Sequence, residues 1–118
     1  MPFKVYSNNN TTINTSSPTG VKQEKSLYVS NGYNELSSEN FEDYILLEDV
    51  PGDDYTLPNS KDFIGNDIVI INKSGKTINV KTKMDDMFFE NNTNVTLPNN
   101  IAIKLLPVKE HKWLIVSV

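Results

Sequence analysis

From Tyr55 to the end of the chain, short apolar segments alternate with clusters of Asn, Gly, Pro, Ser and Asp at a spacing of about ten residues. That spacing predicts a β-meander of short strands joined by tight turns. Asp67-Ile68-Val69-Ile70-Ile71-Asn72 is apolar at odd and even positions alike, as in a strand buried on two sides. Ile78 and Val80 alternate with Thr77, Asn79 and Lys81, as in a half-buried strand, and Asn72-Lys73-Ser74-Gly75-Lys76 supplies the turn between the two. Val95 and Leu97 lead into the turn residues Pro98-Asn99-Asn100. Ile101, Ile103 and Leu105 then share one face, and Trp113-Leu114-Ile115-Val116 forms a last strand. About seven strands fit between Tyr44 and Val118.

The upstream part reads differently. Ser7 to Gly20 is almost wholly Asn, Thr, Ser, Pro and Gly, which cannot bury enough apolar surface to offset the entropy of ordering it. Alone it is expected to be a flexible arm, ordered only against neighbouring subunits. Leu27-Tyr28-Val29 and Tyr33-Asn34-Glu35-Leu36 flank Ser30-Asn31-Gly32, and Asn-Gly predicts a hairpin because both residues tolerate positive φ. Ser37-Ser38-Glu39-Asn40 predicts one helical turn, followed by a strand through Tyr44-Ile45-Leu46-Leu47 that Pro51-Gly52 ends. The expected division is therefore an arm with a small hairpin over residues 1–43 and a compact knob over 44–118.

Composition narrows the function. The net charge is −4 and the pI about 4.9, with the lysines scattered among acids, so no clustered cationic surface exists for nucleic acid. All 11 basic residues are Lys, and the chain has sixteen Asn and no Arg, a usage expected of an AT-rich genome. Without cysteine there is neither a disulfide framework nor a thiolate metal site. No apolar run approaches the 18 or so residues of a membrane span and Met1 to Asn10 is polar, so a soluble protein without membrane insertion is expected. A domain of this size buries only about 60–65% of its unfolded surface, and an open meander exposes edge strands. Association of three copies around an axis, or closure into an intramolecular barrel, would each cover those edges.

Enzymatic chemistry finds little support. His111, the single histidine, sits in the turn-like Lys109-Glu110-His111-Lys112. The acid pairs Asp53-Asp54 and Asp85-Asp86 lie among turn formers and read as solvated rather than as a general acid and base. Together with Asp49, Asp62, Asp67 and Glu90 they could offer oxygen ligands to a hard cation, but no calcium-loop spacing is present, and neither metal nor cofactor is expected. Trp113, Tyr55 and the Phe88-Phe89 pair could form an aromatic platform for a sugar. Trp113, in a strand apolar on both faces, fits core or interface packing better. Of Phe88 and Phe89 only one can enter a given core, because adjacent strand residues point to opposite faces; the other is expected at a subunit interface or exposed patch. Phe88, Phe89, Ile101, Ile103, Leu105, Trp113 and Ile115 are accordingly the expected core or oligomer-interface residues.

Tyr55-Thr56-Leu57-Pro58, Gly65 ahead of Ile68 to Val80, Val95-Thr96-Leu97-Pro98 and Lys112-Trp113-Leu114-Ile115-Val116 together resemble the knob modules of bacteriophage fibres and tail spikes. In that loose family a Thr-Leu-Pro strand leads to a hydrophobic strand ending in Asn-Lys-Ser-Gly, then a paired strand of alternating pattern and a terminal strand carrying Trp. The resemblance covers residues 44–118 and implies a homotrimeric, non-enzymatic β-knob on a virion appendage, either structural or binding a host surface glycan as receptor. Residues 1–43 would then attach to other virion structural proteins. Larger members carry repeat stalks, whereas this chain has no internal sequence repeat, which favours a head fibre, capsid decoration or baseplate accessory over a long tail fibre.

Overall fold

The computed structural model describes residues 25–117. The described residues are all-β, with nine strands: β1 (Leu27–Asn31), β2 (Tyr44–Asp49), β3 (Asp54–Thr56), β4 (Ile68–Asn72), β5 (Ile78–Lys81), β6 (Met87–Phe88), β7 (Asn94–Leu97), β8 (Ala102–Lys109) and β9 (Lys112–Ser117). Two short 3-10 turns, Ser38–Asn40 and Ser60–Asp62, interrupt them. The first stands where the helical turn is expected. Eight strands rather than seven fall between Tyr44 and Ser117, because Met87–Phe88 forms a short strand of its own.

The strands form a six-stranded sheet of order β1-β2-β4-β8-β9-β6 and a three-stranded sheet of order β3-β5-β7. This is not a meander. Parallel pairs join β1 to β2, β2 to β4, β3 to β5 and β6 to β9, while the antiparallel pairs are β4 with β8, β5 with β7, and β8 with β9. Only β8 and β9 make a hairpin of consecutive strands. Elsewhere each strand crosses to the other sheet before the chain returns, so three strand–arch–strand rungs lie side by side. The first is β1 with the stretch around Glu35, the second β2 with β3, and the third β4 with β5. Tyr44 lies beside Val69 and Asp54 beside Asn79, an advance of 25 residues in both sheets, but Leu27 lies beside Tyr44 after only 17. The unequal spacing gives the backbone a repeat that leaves no regular period in the sequence.

The arches explain why turn chemistry alone misassigns the pairing. Gly32 has φ +92°, as the Asn-Gly signal requires, yet its N–H donates to Asp49 O at 2.7 Å and the chain moves on to the second sheet. There Leu36 N donates to Thr56 O and Thr56 N to Asn34 O, so residues 34–36 run beside β3 rather than back along β1. The expected Leu27–Leu36 hairpin is therefore replaced by an arch. Because β1 is part of the six-stranded sheet and Leu36 is fully buried, a division at residue 43 runs through the folded body rather than beside it. The expectations for Ser7 to Gly20 lie outside the described residues.

At the third arch Asn72 acts as the organising side chain. Fully buried, it donates from Nδ2 to Lys76 O (2.8 Å) and Leu97 O (2.9 Å), and its Oδ1 accepts from Ser74 N (3.0 Å) and Ser74 Oγ (2.7 Å). One amide thus shapes the turn and ties it to β7 in the other sheet, with both donors and the acceptor satisfied.

One core lies between the sheets. Ile45, Leu47, Ile68, Ile70, Leu105 and Trp113 meet Tyr55, Leu57, Ile78, Val80 and Leu97, all fully buried. Strand alternation brings them there: β4 buries Ile68, Ile70 and Asn72, and β5 buries Ile78 and Val80.

Candidate interaction face

Alternation that sends one set of side chains inward sends the other set outward, and the two outward faces differ in chemistry. On the three-stranded sheet the outward positions are Asp54 and Thr56, Asn79 and Lys81, and Asn94 and Thr96. They bond to one another: Lys81 Nζ lies 3.3 Å from Asp54 Oδ2, Asn79 Nδ2 donates to Asp54 Oδ1 at 3.3 Å, and Thr96 Oγ1 donates to Asn79 Oδ1 at 3.5 Å. This is a face suited to water.

The outward face of the six-stranded sheet is apolar across its middle, with Glu48 of β2 and Lys112 of β9 on the same side nearer the strand ends. The strand registers align Leu27, Tyr44, Val69, Lys104 and Val116 in one row, and Val29, Leu46, Ile71 and Ala102 in the next. Leu106 and Leu114 pair on the same side of β8 and β9. Most of these side chains are half-buried by their neighbours in the sheet, while Val29 and Val116 are open to solvent. Nothing in the described part of the protomer forms a second layer over them, since the core and the other sheet lie on the opposite side. Lys104 is the only ionised residue within the two rows, and its Nζ stands 4.0 Å from Asp67 Oδ2.

The seven residues singled out from the sequence divide between core and surface. Phe88 and Trp113 pair across β6 and β9 and are fully buried, as is Leu105; Ile103 is 8% exposed, and Ile115 packs half-buried against the core. Phe89 is 42% exposed, so the Phe88-Phe89 pair does split between faces, and Lys112 Nζ stands 5.9 Å from its ring centroid. Ile101 is exposed where Ile103 and Leu105 are buried. It precedes β8 in a turn, where its N–H donates to Pro98 O, and is 47% exposed. The outward row through Tyr44, Leu46, Val69 and Ile71 was not singled out, although doubly apolar strands carry its signature.

Two other clusters bring polar side chains together. Asp86 is 2% exposed, contrary to the expectation of a solvated turn acid. Its Oδ2 accepts the Ser60 N–H at 2.7 Å, and its Oδ1 stands 3.1 Å from His111 Nδ1. Ser, His and Asp thus meet, but not as a nucleophilic triad. Buried Ser60 donates its Oγ to Lys109 O, and His111 Nε2 lies 3.4 Å from Glu110 Oε2. The arrangement clasps the Ser60–Asp62 turn to the β8–β9 turn. A cleft of about 300 Å³ lies where β1, β2 and β4 begin, lined by the stacked rings of Phe41 and Phe63 (centroids 3.9 Å apart, 9° between planes) and by Ser26, Glu42, Asp43, Asn66 and Asp67. Asp43 is already engaged there, accepting from Ser26 N and Oγ. Among the described residues no three His, Cys, Asp or Glu side chains converge as metal ligands, and no helix is long and apolar enough to cross a membrane.

No protein-family model, no curated protein and no solved structure matches this chain.

Proposed function

We propose that the chain is a structural, non-enzymatic subunit of a bacteriophage particle, a fibre or decoration protein that assembles into a homotrimer and is attached to the capsid or tail through its N-terminal arm. The observation that carries this reading is the apolar outward face of the six-stranded sheet. An apolar sheet face of this size left to water is costly at roughly 25 cal/mol per Å², and an assembled subunit is a setting in which it is covered. The virion assignment itself rests on the resemblance of residues 44–118 to fibre and tail-spike knobs. Since β1 belongs to the folded body, the arm is read as the residues preceding Lys25.

Light scattering on the full chain and on a chain starting at Lys25 tests the assembly, with trimers expected for both; monomers in both would overturn it. Incorporation into phage particles tests the arm. The shortened chain is expected to fold and associate but to be missing from particles, and its normal incorporation would remove the attachment role.

A second reading, a knob that binds a host glycan, is favoured by one observation. Phe89 presents an exposed ring beside Lys112, whose Nζ also donates to Asn91 Oδ1 at 3.1 Å, so an aromatic surface adjoins polar groups. Glycan-array binding that Phe89→Ala abolishes would establish it, and an absence of binding to host cells would set it aside.

A further inference from the structure

We propose that Asn31-Gly32 is a site of self-modification, at which the Asn31 side chain deamidates through attack by the Gly32 nitrogen when the first arch opens, and which the closed arch protects.

Asn31 is the one asparagine of the chain followed by glycine. The chemistry favours that order, because the nitrogen of the next residue must reach the asparagine Cγ, and a side chain on that residue obstructs the approach. Gly32 presents no obstacle. An added Cβ would meet nothing within 4 Å, and both residues are exposed, so water and base reach the pair. In the reaction the Gly32 nitrogen gives its proton to base, and its lone pair forms a bond to Asn31 Cγ. The Cγ–Nδ2 bond breaks, Nδ2 leaves as ammonia, and a cyclic succinimide remains. Water then opens the ring at either of its carbonyls, giving aspartate or, with the main chain rerouted through Cγ, isoaspartate.

The folded chain stands against the first step. The proton that base would remove is the one that Gly32 N–H donates to Asp49 O at 2.7 Å, and Nδ2 of Asn31, the leaving group, donates to Glu48 Oε1 at 3.1 Å. Asn31 is also the last residue of β1 and is paired with Asp49 of β2, so its backbone cannot turn to bring the Gly32 nitrogen onto Cγ without giving up that pairing. Attack therefore requires a local opening of the arch.

Once made, the change is irreversible, and it works against reclosing. Aspartate at position 31 sets a third carboxylate beside Glu48 and Asp49, in place of an amide that donated to one of them. Isoaspartate lengthens the main chain by one carbon ahead of Gly32 and displaces the N–H that reaches Asp49 O. The site thus records past openings of the first arch and makes later ones easier.

The test follows the full-length wild type, folded and in urea, in one mildly alkaline buffer, with conversion at Asn31 read by peptide mass spectrometry. The folded chain is expected to react at Asn31 at least about tenfold more slowly than the unfolded chain. Tyr55→Phe removes the bond that fastens β1 to β3 without altering the sequence around Asn31. It should speed the reaction of the folded chain by a factor of about three to ten and leave that of the unfolded chain unchanged. Should Tyr55→Phe fail to fold, Glu48→Ala at an exposed position releases the Asn31 amide and is expected to act in the same direction. Equal rates in the folded and unfolded wild type would overturn the protection by the arch. An unfolded chain that keeps Asn31 intact would overturn the site itself, and a folded-state rate that neither variant raises would overturn the opening step.

Discussion

The Tyr55 hydroxyl donates to Ser30 Oγ at 2.9 Å across 25 residues of chain, inside a core where both residues are fully buried. The bond fastens β1, just ahead of the first arch, to the middle rung at β3. It also gives a buried phenol its partner, without which the hydroxyl would carry the full cost of lost hydration. Ser30→Ala removes the partner and leaves that hydroxyl unpaired. A loss of about 1–3 kcal/mol in urea unfolding is expected, with Tyr55→Phe in the Ser30→Ala background recovering part of it.

The same tyrosine sets an alkaline limit. Burial raises its pKa well above the ordinary value of 10.0, and the hydrogen bond between Tyr55 and Ser30 only partly opposes that shift. A group whose folded pKa is raised contributes stability that is fully present below the unfolded pKa. Above pH 10 the unfolded chain releases the proton while the folded chain keeps it, so stability falls by about 1.4 kcal/mol per pH unit. Urea midpoints measured from pH 9 to 11.5 should show that decline in the wild type, and a shallower one in Tyr55→Phe. Identical slopes would mean that Tyr55 is not the group responsible.

Asn72 offers a separate test of the third arch. Asn72→Ala removes all four of its hydrogen bonds and leaves the Leu97 and Lys76 carbonyls without that donor, so a loss of about 3 kcal/mol is expected. Asn72→Asp is expected to be worse still, because it keeps the acceptor for Ser74 but places a carboxylate against two carbonyl oxygens. Equal stabilities of the alanine and aspartate variants would show that the two carbonyl contacts contribute little.

What could be read from the sequence depended on range. Local alternation identified Ile68–Asn72, Ile78–Lys81 and the division of labour between Phe88 and Phe89, because side-chain parity is a property of consecutive residues. Which strand lies beside which is not such a property. Asn31-Gly32 and Asn72 to Lys76 meet the local demands of a turn equally well whether the chain folds back on itself or arches to another sheet. The parallel partners, 17 and 25 residues on, left no trace in local pattern. Asp86 fails for the same reason: its neighbours are turn formers, but Ser60 and His111, which engage it, come from 26 and 25 residues away. The apolar outward face was partly legible. Ile68 to Ile71 is apolar on both sides, which predicts two covered faces, and the described part of the protomer covers one.

The clasp at Asp86 should separate its two partners by their burial. Asp86→Ala leaves the Ser60 N–H, in a fully buried residue, without an acceptor and is expected to cost about 2 kcal/mol. His111→Gln, at an exposed position, should cost less than about 1 kcal/mol. Thermal melts of the two variants at neutral pH would check the order, and a larger loss from His111→Gln would place the stabilisation in the imidazole contact rather than in the amide contact.

Coupling between folding and assembly leaves a thermodynamic trace that needs no variant to detect. Where folded subunits bury an apolar face in one another and unfolded chains do not, mass action makes the melting temperature depend on protein concentration. For a trimer, a tenfold increase in concentration stabilises each subunit by about 0.9 kcal/mol, which for a domain of this size corresponds to about 4 °C. Scanning calorimetry over a hundredfold concentration range should therefore raise the wild-type midpoint by about 8 °C. Val29→Lys should melt at a midpoint independent of concentration, because its rows through Leu46 and Ile71 no longer have a partner to bury against. A wild-type midpoint that does not move would separate folding from association, and would leave the outward face of the six-stranded sheet as a surface that the folded protomer tolerates in water.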